Sequence, residues 1–354
     1  MTGGTARRPP PRSSRAEREA IYQRRRRAAL AGGAVLAILL IWGLSAIVGG
    51  DGGANADRPK AVELPQGGRI VLPRYRLVAY YGAPQHDALG QLGIGTPDQE
   101  AAAVVRQAKA YERPGRPTLP VFELIATLAQ SDPGADGMNR LRQTPEVIKR
   151  YLAAVRRING LLILDIQPGH SDFMDEVAAL TPYLLQPDVG LALDPEWSLP
   201  PGHVPGKEIG STTAATVNEV SAYLAKIVQV KNLPQKVLIV HQFTEGMVKP
   251  RDQVVDRPGV AIVHNVDGFG TAPSKVAVYN KLAYQVGAGA AGTTGASGAS
   301  GASGASGATG PPQAPHGKAG RYNGFKLFFH EDTGLMTPSQ VLDLKPAPDV
   351  VVYE

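Results

Sequence analysis

The sequence predicts an α/β fold: a (β/α)8 barrel of the TIM type, preceded by one transmembrane helix. Three observations predict it. Eight short runs rich in Val, Ile and Leu recur between residues 76 and 353. Helix-start signals separate most of them. Ahead of them, 23 uncharged residues follow four consecutive arginines.

In chain order, residues 1–27 come first. They are rich in Arg, Pro and Ser and read as a disordered, basic cytoplasmic tail. The net charge of +6 resides there: nine arginines stand against two acids, so the rest of the chain is nearly neutral. A nucleic-acid binder would carry its excess charge on a folded face with interleaved aromatics, and no nucleic-acid partner is expected. Residues 28–50, "AALAGGAVLAILLIWGLSAIVGG", are long enough to cross a bilayer once. The arginines before them hold that end in the cytoplasm, so the lipid bilayer is the expected partner of this helix and the body is expected outside the plasma membrane. A cleaved signal peptide is the rival reading, because "ANA" at 54–56 resembles a cleavage site; the apolar run exceeds the usual length of such a peptide. Residues 51–68 read as a polar linker. The chain has no cysteine, which excludes disulfides, thiolate metal sites and a cysteine nucleophile.

The barrel is expected over 69–354. Its strands fall at 76–81, 119–125, 161–166, 189–194, 236–242, 259–265, 324–329 and 349–353. They are short and continuously apolar, as parallel strands buried on both faces are. Helices are expected near 97–112, 144–158, 172–185, 212–231 and 273–285. "TPDQ" at 96–99 places Thr at the N-cap, Pro at the first helical position and Gln at the third, a capping box with a preset φ. "TPEV" from Thr144 and "TPSQ" from Thr337 repeat the device. A doubly wound open sheet is the alternative, but no G-x-G-x-x-G follows the first strand. No outer helix follows the eighth strand, so residues 61–75 are expected to cover that gap or close the barrel bottom. Residues 287–320 contain glycine at every third position from Gly292 to Gly310. With Ala, Ser and Thr between the glycines, they read as a flexible insertion on the face opposite an active site.

Barrel enzymes carry their chemistry at the C-terminal ends of the strands. Here those ends hold Tyr80 and Tyr81, Glu123, Asp165, Gln167 and His170, then Asp194, Glu196 and Trp197. His241 and Gln242, His264, Asn265 and Asp267, and His330, Glu331 and Asp332 follow. Strand side chains alternate between faces. Asp165 and Gln167 share a face with Ile163, while Gly190, Ala192, Asp194 and Glu196 share another, so the acids point into the mouth. Asp165, Asp194 and Glu196 are therefore the candidate catalytic residues. Glu123, Tyr80, Tyr81, Trp197, Gln167, His241, Asn265 and Asp267 are the candidate substrate-binding set. Each has a plainer possible role, as a helix cap, a turn former or packing; their gathering at one end of the strands singles them out.

Paired carboxylates in a pocket are the machinery of glycoside hydrolysis, one held protonated and the other charged. The motif "LDPEW" at the fourth strand, and more loosely "LDIQ" at the third, resembles barrel glycosidases with D-x-E at the end of strand four, chitinase-like enzymes among them. The longer acidic run of chitinases is incomplete, since Gly190, Leu191 and Ala192 stand upstream of Asp194. Residues 70–354 also resemble uncharacterised, membrane-anchored barrel proteins of bacteria. This second resemblance bears on fold and topology; the glycosidase-like motif implies a carbohydrate ligand, and no cofactor or metal is expected. Two other functions stay open: a surface module that binds glycan without cutting it, and a metal-dependent hydrolase using His241, His264 and His330 with Asp165. No H-x-H or H-E-x-x-H spacing supports the latter, and no G-x-S-x-G elbow supports a serine nucleophile.

Overall fold

The computed structural model describes residues 61–284 and 320–354. The predicted tail at 1–27, the predicted anchor at 28–50, linker residues 51–60 and all but the last residue of the 287–320 insertion lie outside the described residues. Among the described residues no helix is long and apolar enough to cross a membrane.

Eight parallel strands form a closed barrel. They are β1 (Arg76–Gly82), β2 (Thr118–Ala129), β3 (Leu161–Ile166), β4 (Val189–Leu193), β5 (Lys236–Gln242), β6 (Val260–Val266), β7 (Gly320–Leu327) and β8 (Val350–Tyr353). Each pairs with its sequence neighbours, and β1 closes the ring by pairing with both β2 and β8. Each strand falls on a predicted run. The helices are α1 (Pro97–Lys109), α2 (Pro145–Arg157), α3 (Phe173–Leu184), α4 (Ala214–Lys231), α5 (Ala272–Leu282) and the short α6 (Pro338–Leu342). Thr96 and Thr337 make full capping boxes, while Thr144 caps Val147 N–H without the reciprocal bond. Such a cap stabilises a helix by about 1 kcal/mol. Between β5 and β6 the chain forms no α-helix. It makes a two-residue strand, Val248–Lys249, that pairs with Thr212–Thr213, then a 3-10 turn at Arg251–Gln253.

Alternation along the strands sorts the core into two layers. Val78, Phe122, Leu164, Leu191, Val240 and Ile262 face the helices. Ala79, Val121, Ile163, Ala192, Ile239, Val263 and Val352 fill the barrel. The outer layer is bulkier because it must span the gap to the helices. The inner one includes small residues because eight strands converge on one axis.

The bottom of the barrel is closed by the segment before β1. Leu64, Val71, Leu72 and Tyr75 pack on Leu77, Leu119, Leu161 and Val237 at the N-terminal strand ends. Gln235 Oε1, just before β5, accepts the backbone N–H groups of Val71 and Leu72, each at 2.9 Å, so the barrel supplies the acceptor for two of the plug's buried donors. Of the two roles expected for residues 61–75, this is the second.

Candidate active site at the barrel mouth

The opposite end is polar and centred on His241, which β5 carries inward and which is fully buried. Its Nε2 lies 2.8 Å from Glu123 Oε1 on β2 and 3.9 Å from Asp165 Oδ1 on β3. Its Nδ1 lies 2.7 Å from Asp267 Oδ2, just past β6, and Asn265 Nδ2 donates to Asp267 Oδ1 at 2.6 Å. Tyr81 Oη donates to Asp165 Oδ2 at 3.0 Å and accepts from Gln167 Nε2 at 2.9 Å. Lys326 enters from β7. Its Nζ is 2.6 Å from Glu354 Oε2 and 3.6 Å from the centre of the Tyr81 ring. Two residues before it, Gly324 makes room: a Cβ there would collide with Asn265 Oδ1.

The electrostatics follow from this geometry. Burial disfavours an imidazolium at His241, yet Asp267 and Glu123 hold its pKa well above the ordinary value. Burial pushes the Asp165 carboxyl up to about 7, with His241 opposing and Glu123 adding to the rise. Burial also lifts Asp194 well above its ordinary range and raises Glu196, against the pull of Lys326. Burial acts upward on Asp267 as well, but His241 and Lys326 outweigh it and hold that carboxyl below its ordinary value. Lys326 is disfavoured as a cation by burial, but Glu354, Asp267 and Asp194 raise its pKa.

The structure brings most of the predicted residues to this mouth: Tyr81, Glu123, Asp165, Gln167, Asp194, Glu196, His241, Asn265 and Asp267. Glu196 arrives by a different route from the one expected. β4 ends at Leu193, and a 3-10 turn, Pro195–Trp197, carries Glu196 and the half-buried Trp197 onto the rim. Tyr80 is a correction. It faces the helix layer, where its ring meets Phe329 and Tyr353 edge-on at 6.2 and 6.4 Å. Adjacent residues on a strand point to opposite faces, so Tyr80 and Tyr81 cannot both enter the mouth. The histidine trio is not assembled either: His264 lies outside the barrel against Tyr284, with ring centres 4.4 Å apart, and His330 is exposed. A different set gathers instead, in which Glu123, Asp165 and His241 each bring a ligand atom within 4.8 Å of the others.

Sequence reasoning missed Lys326 and Glu354. The signal was present in "GFKLFF", where a lysine two residues after Gly324 interrupts an apolar run at inward parity. Glu354 likewise continues the inward series of Val350 and Val352.

Fold and site together define a closed parallel barrel with an acid-rich, histidine-centred mouth. No protein-family model matches this chain, and no curated protein matches it.

Proposed function

We propose that the barrel mouth is the active site of a glycoside-hydrolase-like enzyme, anchored outside the plasma membrane and acting on a polysaccharide or cell-envelope glycan. The observation that carries this reading is the graded burial of the three candidate acids. Asp165 is 0% exposed and Asp194 4%, while Glu196 keeps solvent contact on the rim. A glycan entering from solvent meets Glu196 first. Burial raises the Glu196 carboxyl, which suits it to donate a proton to the glycosidic oxygen. Asp194 or Asp165 stands behind it as the base or stabiliser, a role each takes up by giving away the proton that burial favours. Carboxyls held above their ordinary range beside Asp267 held below it supply both a proton donor and a fixed anion. Trp197 on the same turn offers a face for sugar stacking. The membrane-anchored setting rests on residues 28–50 and the arginines before them; carbonate extraction of membranes tests it.

A polysaccharide hydrolysis screen with Glu196→Gln tests the catalytic reading. The variant is expected to lose about 10²–10⁴-fold in turnover, the contribution of one general acid. Unchanged turnover rejects Glu196 as the acid. A glycan-binding module without catalysis is the second reading. It is favoured by the mutual bonding of Glu123, His241 and Asp267, which leaves these groups engaged with one another. Binding of glycan by the wild type with no hydrolysis supports it.

A further inference from the structure

We propose that Glu123, Asp165 and His241 form a site for a divalent transition-metal cation inside the barrel, of the Zn²⁺ or Mn²⁺ class. The inference goes beyond the hydrolase reading, for it needs neither Glu196 nor turnover.

Three observations carry it. The first is spacing. The candidate ligand atoms lie within 4.8 Å of one another, with His241 Nε2 at 2.8 and 3.9 Å from the two carboxylates. Ligands about 2.1 Å from a common ion and roughly 90–110° apart stand about 3.0–3.5 Å from each other. Shifts of about 1 Å or less therefore bring the set onto one ion.

The second is a deficit of donors. Glu123 Oε2 and Asp165 Oδ1 are buried and have no hydrogen-bond partner among the described residues. Buried carboxylate oxygens are nearly always satisfied, and His241 has already committed its Nδ1 to Asp267. Lys326 lies within electrostatic reach of Asp165, but its ammonium is paired with Glu354. A cation held by Glu123 and Asp165 supplies the positive partner that one oxygen of each carboxylate lacks among the described residues.

The third is the support behind the histidine. Asp267 holds His241 Nδ1 and is itself held by Asn265, the carboxylate–histidine arrangement that orients an imidazole toward a metal. Nε2 is then the ligand atom: the ion replaces its hydrogen bond to Glu123 Oε1, and its proton passes to solvent. Two carboxylates and one imidazole suit Zn²⁺ or Mn²⁺ better than Ca²⁺ or Mg²⁺, which prefer oxygen alone.

The test uses the untagged full chain, stripped with EDTA and titrated calorimetrically with ZnCl₂ and MnCl₂. One ion per chain is expected, with affinity falling at least about tenfold in Glu123→Gln and in Asp165→Asn, the size of effect seen when a ligand or its support is lost. Glu196→Gln is expected to bind the ion as the wild type does, so a failed hydrolase reading leaves this result intact. Absence of saturable binding by the folded wild type overturns the site, as does undiminished binding in both ligand variants. Where a ligand variant does not fold, pulsed EPR of Mn²⁺ bound to the wild type decides. Coupling to one imidazole nitrogen supports the site, and a spectrum without it overturns the site.

Discussion

Replacing Lys326 with methionine keeps most of the side-chain length and removes the buried ammonium of the mouth. In the native protein that group is 2.6 Å from Glu354 Oε2, sits over the Tyr81 ring, and lies within reach of Asp194 and Asp267. Removing one partner of a buried ion pair costs about 3–5 kcal/mol, because the other charge is left uncompensated. Glu354 is 24% exposed, so water takes up part of its charge and the lower end, about 3 kcal/mol, is expected. The pH dependence supplies a second signature. Burial already raises the Asp194 and Glu196 carboxyls, and Lys326 opposes that rise. Without it they rise further. A carboxyl whose folded pKa is raised contributes stability that is complete below its unfolded value, about 4, and is lost as pH climbs through the folded value. The deficit of Lys326→Met relative to wild type is therefore larger at about pH 8 than at about pH 5. Urea unfolding followed by circular dichroism at both values, with EDTA present, measures it. A deficit under about 1 kcal/mol at the higher pH, or an equal deficit at both, refutes the role assigned to this lysine.

Three further outcomes are expected. Lys236, at the sealed end, donates to the Gln186 and Val189 carbonyls, and burial pushes its ammonium pKa down to about 7. The unfolded chain then binds more protons between about pH 7 and 10.4, so stability is lowest below that window and rises through it by up to about 5 kcal/mol. Urea melts across the window are expected to show this rise in wild type and not in Lys236→Met. Leu72→Ala opens the bottom plug at a fully buried position, and thermal or urea melts are expected to show a loss of about 2–5 kcal/mol. Gly324→Ala drives a methyl group onto Asn265 Oδ1 and backbone, for a loss of about 1–3 kcal/mol in the same melts; a neutral result there would show that Asn265 yields freely.

The barrel was legible because each strand is a compact apolar run, and because Thr-Pro pairs mark three of the helix starts. Period-two alternation was enough to send Asp165 and Asp194 inward. It was misapplied at Tyr80, which shares a strand with Tyr81 and so must face the other way. What no spacing in the chain revealed is the partnership of His241 with Glu123 and Asp267. These residues stand 118 and 26 positions from it. They meet only because ring closure and strand register set them level: Tyr81 lies beside Glu123, Ile125 beside Asp165, and His241 beside Asn265. The short strands at Arg140–Arg142, Thr212–Thr213 and Val248–Lys249 were missed because two or three residues carry no readable periodicity.

The plug formed by Leu64, Val71 and Leu72 also fixes where the barrel is held. The described chain enters beside the N-terminal strand ends and is bound there by Gln235, with the mouth at the far pole. A pull applied to the chain at residue 61 is therefore borne by the sealed end, at the pole away from the opening. Force arriving there passes through the plug and Gln235 into the strand ends, and it meets the mouth only after crossing the length of the barrel.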